Sequence, residues 1–403
     1  MAHQTAVRFT GPLAAQQEAL RTALLAQGYT LLSTDNLLRL ASSLSRWLEA
    51  HTLGVGELNT ERIAEFLADR RSEGYVKFSS ARALVPILRY LEDAGLMASP
   101  LLSLPACGPA DQLLCSYIHY LHSERCLTQS CVHSYSAVAR KFLQWRFGDN
   151  RGDIATLKAQ EATSFALRAT RIHKVGTAKL VVTALRSFLR YLYLQGHVSV
   201  DFRGALPAIA GWRLTGLPKA LPASQIRALL HSCDRRQHVG RRDYAVLLLL
   251  ARLGLRAGEV AALDLDDVDW CHGEILVHGK GSCAERLPLP EEVGAAVASY
   301  LRLSRAKAST RRLFLRVRAP QGPLCSGTVT AIVKNACRRA DLPVVGAHRL
   351  RHTAATEMLR AGGSLDEIAQ VLRHRSHDTT AIYAKVDRTA LRALARCWPG
   401  GAS

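Results

Sequence analysis

One stretch, Val268 to Leu289, changes the grammar of a chain that otherwise reads in helical periods. Glu274-Ile275-Leu276-Val277-His278 is expected as a strand and Gly279-Lys280-Gly281 as a turn. Arg286-Leu287-Pro288-Leu289 is the returning strand, with Val268-Asp269-Trp270 beside it. Around this stretch, apolar residues recur at the spacing of helices that bury one face. The expected fold class is mainly α with a small antiparallel β-sheet.

The helices fall into groups separated by proline-rich connections. Residues 1–97 form a helical N-terminal module, with helices at 37–50, 60–68 and 79–92. Pro86 inside the third predicts a kink or a break. Leu96 to Pro109, with Pro100 and Pro105, reads as a linker. Residues 111–200 are a second helical module, with helices at 113–123, 129–145, 156–169 and 177–195. It is studded with Arg140, Lys141, Arg168, Arg171, Arg186 and Arg190. A second linker, Asp201 to Leu221, carries Pro207 and Pro218 and leads into a third domain, residues 217–403. Its further helices are expected at 224–232, 242–252, 291–302 and 326–340.

Length and charge narrow the functional classes. A chain of 403 residues suits two or three domains, and 48% hydrophobic content supplies ordinary cores. A net charge of +20 and a pI near 9.9 point to a polyanion rather than to a merely solvated basic surface. Nucleic acid fits better than membrane. The most apolar run, Ala245 to Ala251, is stopped by Arg252, far short of the roughly 20 residues a bilayer requires. Met1 to Gly11 has no apolar core of a signal peptide. The ten cysteines form no Cys-x-x-Cys pair, and the close pair Cys126 and Cys131 has no partners at zinc spacing. Reduced thiols in a cytosolic protein are expected, with no metal and no cofactor.

The chemistry concentrates between His348 and Tyr383. Arg351 offers a planar fork for phosphate oxygens, His374 a donor near neutral pH, and Tyr383 a nucleophile. A tyrosine hydroxyl titrates near ~10, so it attacks well only with help from cations and a base. A helix from Thr353 to Arg360 should end at Gly362-Gly363. Ser364 with Glu367 forms a capping box that opens the next helix, and Asp378 to Val386 forms a third. His348, Arg351, His374 and Tyr383 are then expected at helix edges and turns. Upstream, Gly254-Leu255-Arg256-Ala257-Gly258-Glu259 is a turn that sets Arg256 just before a helix start, where backbone N–H groups favour an anion.

The Gly254–Glu259 run, the Gly279-Lys280-Gly281 turn, His348-x-x-Arg351-His352-Thr353, Leu372-x-His374 and Tyr383 occur in one order and spacing. Together they resemble the tyrosine site-specific recombinases, the phage-integrase family. The close match spans about Leu217 to Lys385. The resemblance implies that residues 111–200 are a core-binding DNA-binding domain and residues 217–403 a mixed α/β catalytic domain. It implies that Arg256, Arg351 and His374 hold the scissile phosphate, that Lys280 protonates the leaving 5′ oxygen and that His348 assists proton transfer. Tyr383 would form a 3′-phosphotyrosyl link without ATP. The guanidinium pair would replace a metal, with Glu259 orienting Arg256. The implied partner is double-stranded DNA, held by a homotetramer or related recombinases, in the bacterial cytoplasm at the nucleoid and in the service of a mobile element. A type IB topoisomerase-like relaxing enzyme and a non-catalytic DNA-binding regulator are the alternatives. The two-module N-terminal half argues against the first, and the retained Tyr383 and Arg351 against the second. Arg373, where the family often has glycine, is a departure. The segment from Arg388 to Trp398 is expected to dock on a neighbouring protomer.

The first module also echoes the second. Ala83, Leu84, Leu88, Arg89, Tyr90, Leu91 and Gly95 recur as Ala184, Leu185, Leu189, Arg190, Tyr191, Leu192 and Gly196, an offset of 101 residues. Residues 1–97 are therefore expected to be a second copy of the core-binding module. Glu61, Glu65, Asp69 and Glu73 make that copy less basic, suiting it to weaker DNA binding or to a neighbouring subunit.

Overall fold

A computed structural model describes residues 9–97, 109–148, 153–210, 220–279, 284–306, 308, 310–373 and 377–385. The expected helices form, with shifted ends, and one that was not expected, α1 (Gln17–Ala26), precedes them. The first are α2 (Leu31–Ala50), α3 (Thr60–Ser72), α4 (Ala81–Asp93), α5 (Pro109–Ser123), α6 (Gln129–Phe147), α7 (Ala159–Ile172) and α8 (Val175–Leu194). Then follow α9 (Ala223–His231), α10 (His238–Arg252) and α11 (Ala257–Ala262). The strands β1 (Val268–Asp269), β2 (Glu274–His278) and β3 (Ala284–Pro288) precede α12 (Glu291–Leu303), α13 (Ser326–Arg339), α14 (Ala347–Arg360), α15 (Leu365–Val371) and α16 (His377–Ala384). The chain is thus mainly α with a small sheet. No helix among the described residues is long and apolar enough to cross a membrane. Lys280, His374 and the segment from Arg388 to Trp398 lie outside the described residues.

Two local expectations need correction. Of the kink or break expected at Pro86, the break does not occur, since helix α4 runs from Ala81 to Asp93. Pro86 is its sixth residue, so the missing N–H removes one bond, near the helix start. Helix α14 begins at Ala347 rather than Thr353, which puts His348 and Arg351 on the helix itself instead of at a turn before it.

The chain divides into two compact units. One takes Met1–Leu53, Arg82–Asp93 and Leu214–Ser403; the other takes Gly54–Ala81 and Ala94–Arg213. The first is organised on α10, whose residues Ala245 to Leu250 are all buried because α12, α13 and α14 pack around it. The apolar run that was too short for a bilayer is therefore the axis of a core. The three strands run antiparallel in the order β1-β2-β3, with Ile275 opposite both Val268 and Leu287. Ile275 and Val277 point into the core and their neighbours do not, the alternation expected of a half-buried strand. A satellite cluster of Ala355, Ile368, Leu372 and Tyr383 joins α14, α15 and α16. In this unit the Gln321 N–H also donates to the Gln27 carbonyl at 2.8 Å.

The second unit centres on aromatic packing among α5 to α8. Tyr117 and Phe188 meet edge-on with centroids 4.9 Å apart, and Phe142 meets Phe165 at 5.2 Å. The Tyr117 hydroxyl donates to Ser187 at 3.0 Å, so this buried ring leaves no polar group unpaired.

The two helical stretches share a burial register. Short 3₁₀ turns at Val55–Glu57 and Ile154–Thr156 precede α3 and α7. Buried Leu58, Ile63, Phe66 and Leu67 correspond at one constant offset to buried Leu157, Ala162, Phe165 and Ala166. Leu84, Ile87, Leu88 and Leu91 correspond at another to Leu185, Phe188, Leu189 and Leu192. Gly95 and Gly196, just past α4 and α8, have φ +67° and +71°, a conformation that glycine adopts without strain.

Candidate active site

Helix α10 ends at Arg252, and the chain turns through Gly254 at φ +59°. A Cβ on Gly254 would lie 2.6 Å from Leu372 Cδ2 and 3.4 Å from Ala354 Cβ, so only glycine lets this turn press against α14 and the end of α15. The turn delivers Arg256 to the N-cap of α11. Glu259 Oε2 accepts from the Arg256 backbone N–H at 2.8 Å, and Oε1 from Arg256 Nη1 at 2.6 Å. Arg256 Nη2 donates to the Arg373 carbonyl at 3.2 Å. The guanidinium is held on two sides yet its side chain stays 41% exposed, free to meet an anion.

Arg351 is its buried counterpart, at 1% exposure. Nη1 donates to the Gly254 carbonyl at 2.7 Å and Nη2 to the Leu372 carbonyl. Its charge lies 3.9 Å from Glu259 Oε2. Burial, then the repulsion of Arg256, lowers its pKa to about 10, which leaves it charged at neutral pH. Burying an arginine this deeply is costly unless it is paired and hydrogen-bonded. Glu259 supplies the counter-charge and two backbone carbonyls accept the donors.

Arg373 completes the cluster. It has φ +53° and donates through Nη2 to Glu259 Oε2 at 2.8 Å, with both side chains 5% exposed. One carboxylate thus faces three guanidiniums. Burial alone pushes the Glu259 carboxyl up, but the Arg256 N–H, the Arg373 charge and the Arg256 side chain outweigh it and hold it below the usual carboxylate range.

Helix α14 presents His348 and His352 one turn apart, their rings edge-on with centroids 4.4 Å apart. His348 is pushed down by desolvation, then by Arg351 and Arg256. His352 is half-buried, and its Nδ1 lies 2.7 Å from the Tyr383 hydroxyl. Burial, His348, Arg349 and Arg351 push its pKa down to about 4, so its imidazole is neutral at physiological pH. Tyr383 is 1% exposed. Burial raises its pKa to about 12, with Arg351 pulling the other way.

Of the residues expected in the site, Arg256, His348, Arg351 and Tyr383 are therefore described: Arg256 at the N-cap of α11, His348 and Arg351 on α14, and Tyr383 on α16, which packs on α14. Sequence reasoning quoted His352 within its motif but gave it no role. It marked Arg373 only as a departure from glycine.

The phage integrase family model matches residues 219–389. A putative integrase/recombinase, y4rA, of Sinorhizobium fredii (strain NBRC 101917 / NGR234) is 40% identical over 395 residues, spanning 97% of this chain and 96% of the relative. The chain belongs to the phage integrase family. A tyrosine recombinase XerC of Herpetosiphon aurantiacus is 30% identical over 281 residues, covering 68% of this chain and 90% of its own length.

Solved family structures share the fold. A XerH site-specific recombinase bound to palindromic difH substrate, in a post-cleavage complex, aligns at TM-score 0.56 and 18% identity, over 83% of this chain and 94% of that one. A lambda integrase (75–356) dimer bound to a COC′ core site aligns at 0.53 and 18%, over 72% and 98%. The protein is a tyrosine recombinase, and the reaction of this family is cleavage and rejoining of DNA strands. In this chain the Glu259 carboxylate offsets the mutual repulsion of Arg256, Arg351 and Arg373.

Proposed function

We propose that this chain is a site-specific recombinase that cuts and reseals double-stranded DNA through a 3′-phosphotyrosyl intermediate formed on Tyr383. Arg256 and Arg351, with His374, hold the non-bridging oxygens of the scissile phosphate. The Tyr383 oxygen bonds to phosphorus as the bond to the 5′ oxygen breaks. Lys280 delivers a proton to that oxygen, and His348 assists the transfers. The phosphodiester energy stays in the tyrosyl ester, so rejoining by the 5′ hydroxyl needs no nucleotide. Fixed cations aimed at the charge that develops contribute strongly, with single-donor losses of ~10²–10³ in rate.

The observation that carries this reading is the convergence of the Arg256 and Arg351 guanidiniums on Glu259, with Tyr383 on the adjoining helix. The net charge of +20 supports the DNA partner. We further propose that four protomers assemble on DNA through the segment after Tyr383, that the enzyme works at the bacterial nucleoid and that it serves a mobile element. Residues 1–97 are proposed as a duplicate of the 111–200 core-binding module, on the strength of the shared burial register.

Tyr383→Phe tests the chemistry. It removes one hydroxyl, so DNA binding should persist while covalent complexes on a nicked suicide substrate disappear. A 3′-linked adduct formed by the Phe variant would overturn the nucleophile assignment.

A further inference from the structure

We infer that His352 is the group that receives the Tyr383 proton during strand cleavage. The inference rests on Tyr383 being the nucleophile. Its starting point is the 2.7 Å contact between His352 Nδ1 and the Tyr383 oxygen. As that oxygen's lone pair bonds to phosphorus, its proton must leave. The guanidiniums nearby have no lone pair to take it. Tyr383 belongs to a buried cluster with Ala355, Ile368 and Leu372, whose side chains carry no polar atom.

The direction of the hydrogen bond depends on the tautomer of His352. The inference requires the tautomer with its proton on Nε2, in which the hydroxyl donates to Nδ1. His348 stacks edge-on against His352 and is not the ring whose nitrogen meets the tyrosine oxygen.

The charged and titratable groups around His352 are His348, Arg349 and Arg351 on its own helix and Tyr383 on α16. In the free protein the low basicity of His352 and the high pKa of Tyr383 leave the proton on tyrosine. A bound phosphodiester changes both sides. Its negative charge, seated on Arg256 and Arg351, offsets the cations that hold His352 down. Bonding to phosphorus acidifies the tyrosine oxygen. The proton then passes to Nδ1, giving an imidazolium, while the departing 5′ oxygen takes a separate proton from the general acid. On rejoining, the imidazolium returns its proton to the released tyrosine.

His352→Asn is the test. Asparagine keeps an acceptor near the place of Nδ1 but cannot take a proton. Expected are unchanged DNA binding and adduct formation slowed ~10²–10⁴-fold. A fluorotyrosine of lower pKa at position 383 should recover much of that loss, because a more acidic nucleophile needs less help. A 5′-bridging phosphorothioate substrate, which relieves only the leaving group, should recover little. Full-rate cleavage by the Asn variant would overturn the inference, as would recovery on the phosphorothioate without recovery by fluorotyrosine. Should the Asn variant fail to bind DNA, the ¹⁵N shift of His352 Nδ1 in the unaltered protein decides: a pyridine-like nitrogen supports the inference and a protonated one ends it. Full activity of His352→Asn with an inactive Tyr383→Phe would sink this step alone, whereas an adduct from Tyr383→Phe would sink the nucleophile reading beneath it.

Discussion

Glu259 is 6% exposed and is the carboxylate that lets Arg351 and Arg373 stay buried. Glu259→Gln keeps the shape and removes the charge. Stability should fall by about 3–5 kcal/mol at pH 7, the usual effect of stranding a buried ionic partner, as read by urea unfolding. The pH dependence has a definite sign. The folded carboxyl titrates below its ordinary value of 4.5. Its contribution is therefore complete above that value and is lost as pH falls through the depressed folded pKa. The wild-type chain should lose stability in that acid window, and the Gln variant should lack this part of the loss. Arg256, Arg351 and Tyr383, which the structure brings near one another, could be picked out in sequence because they sit in recognisable motifs. The contact of His352 with Tyr383 was not legible. Two histidines four positions apart share a helix face, and spacing cannot say which of them meets a tyrosine thirty-one positions on.

At the scale of elements, the start of α14 shows where a pattern reading fails. Arg351 is among the largest fully buried side chains, and a guanidinium in a core position breaks the apolar period that marks a helix. The turn after α15 is the complementary case. Arg373 holds φ +53°, which costs about 1–2 kcal/mol in a residue with a Cβ. Arg373→Gly would relieve that strain and keep the carbonyl that receives Arg256 Nη2. It would also remove the donor at 2.8 Å from Glu259. The lost buried pair outweighs the relieved strain, so a lower melting temperature is expected. A more stable glycine variant would show that the Arg373–Glu259 pair contributes little.

At the scale of the whole molecule, the sequence made the sheet, the helices and the family readable. Each rests on local periodicity or on an ordered motif. The docking of Gln27 on Gln321 was not readable, because it joins two polar loops far apart in the chain. A protein starting near Pro105 lacks that contact and the proposed N-terminal copy of the core-binding module. It should still form the covalent adduct, but footprinting should show a shorter protected stretch, or native gels a weaker synapse. A full-length footprint with normal synapsis would leave the repeat in place and remove its proposed role.

Gly254 carries a consequence for heredity. Its α-carbon faces Leu372 and Ala354, so three separated motifs share one point of contact. Trimming position 372 would open space but would not relieve a side chain of the φ of +59° at position 254. Glycine should therefore persist at 254 in a deep set of descendants, whatever residue stands at 372.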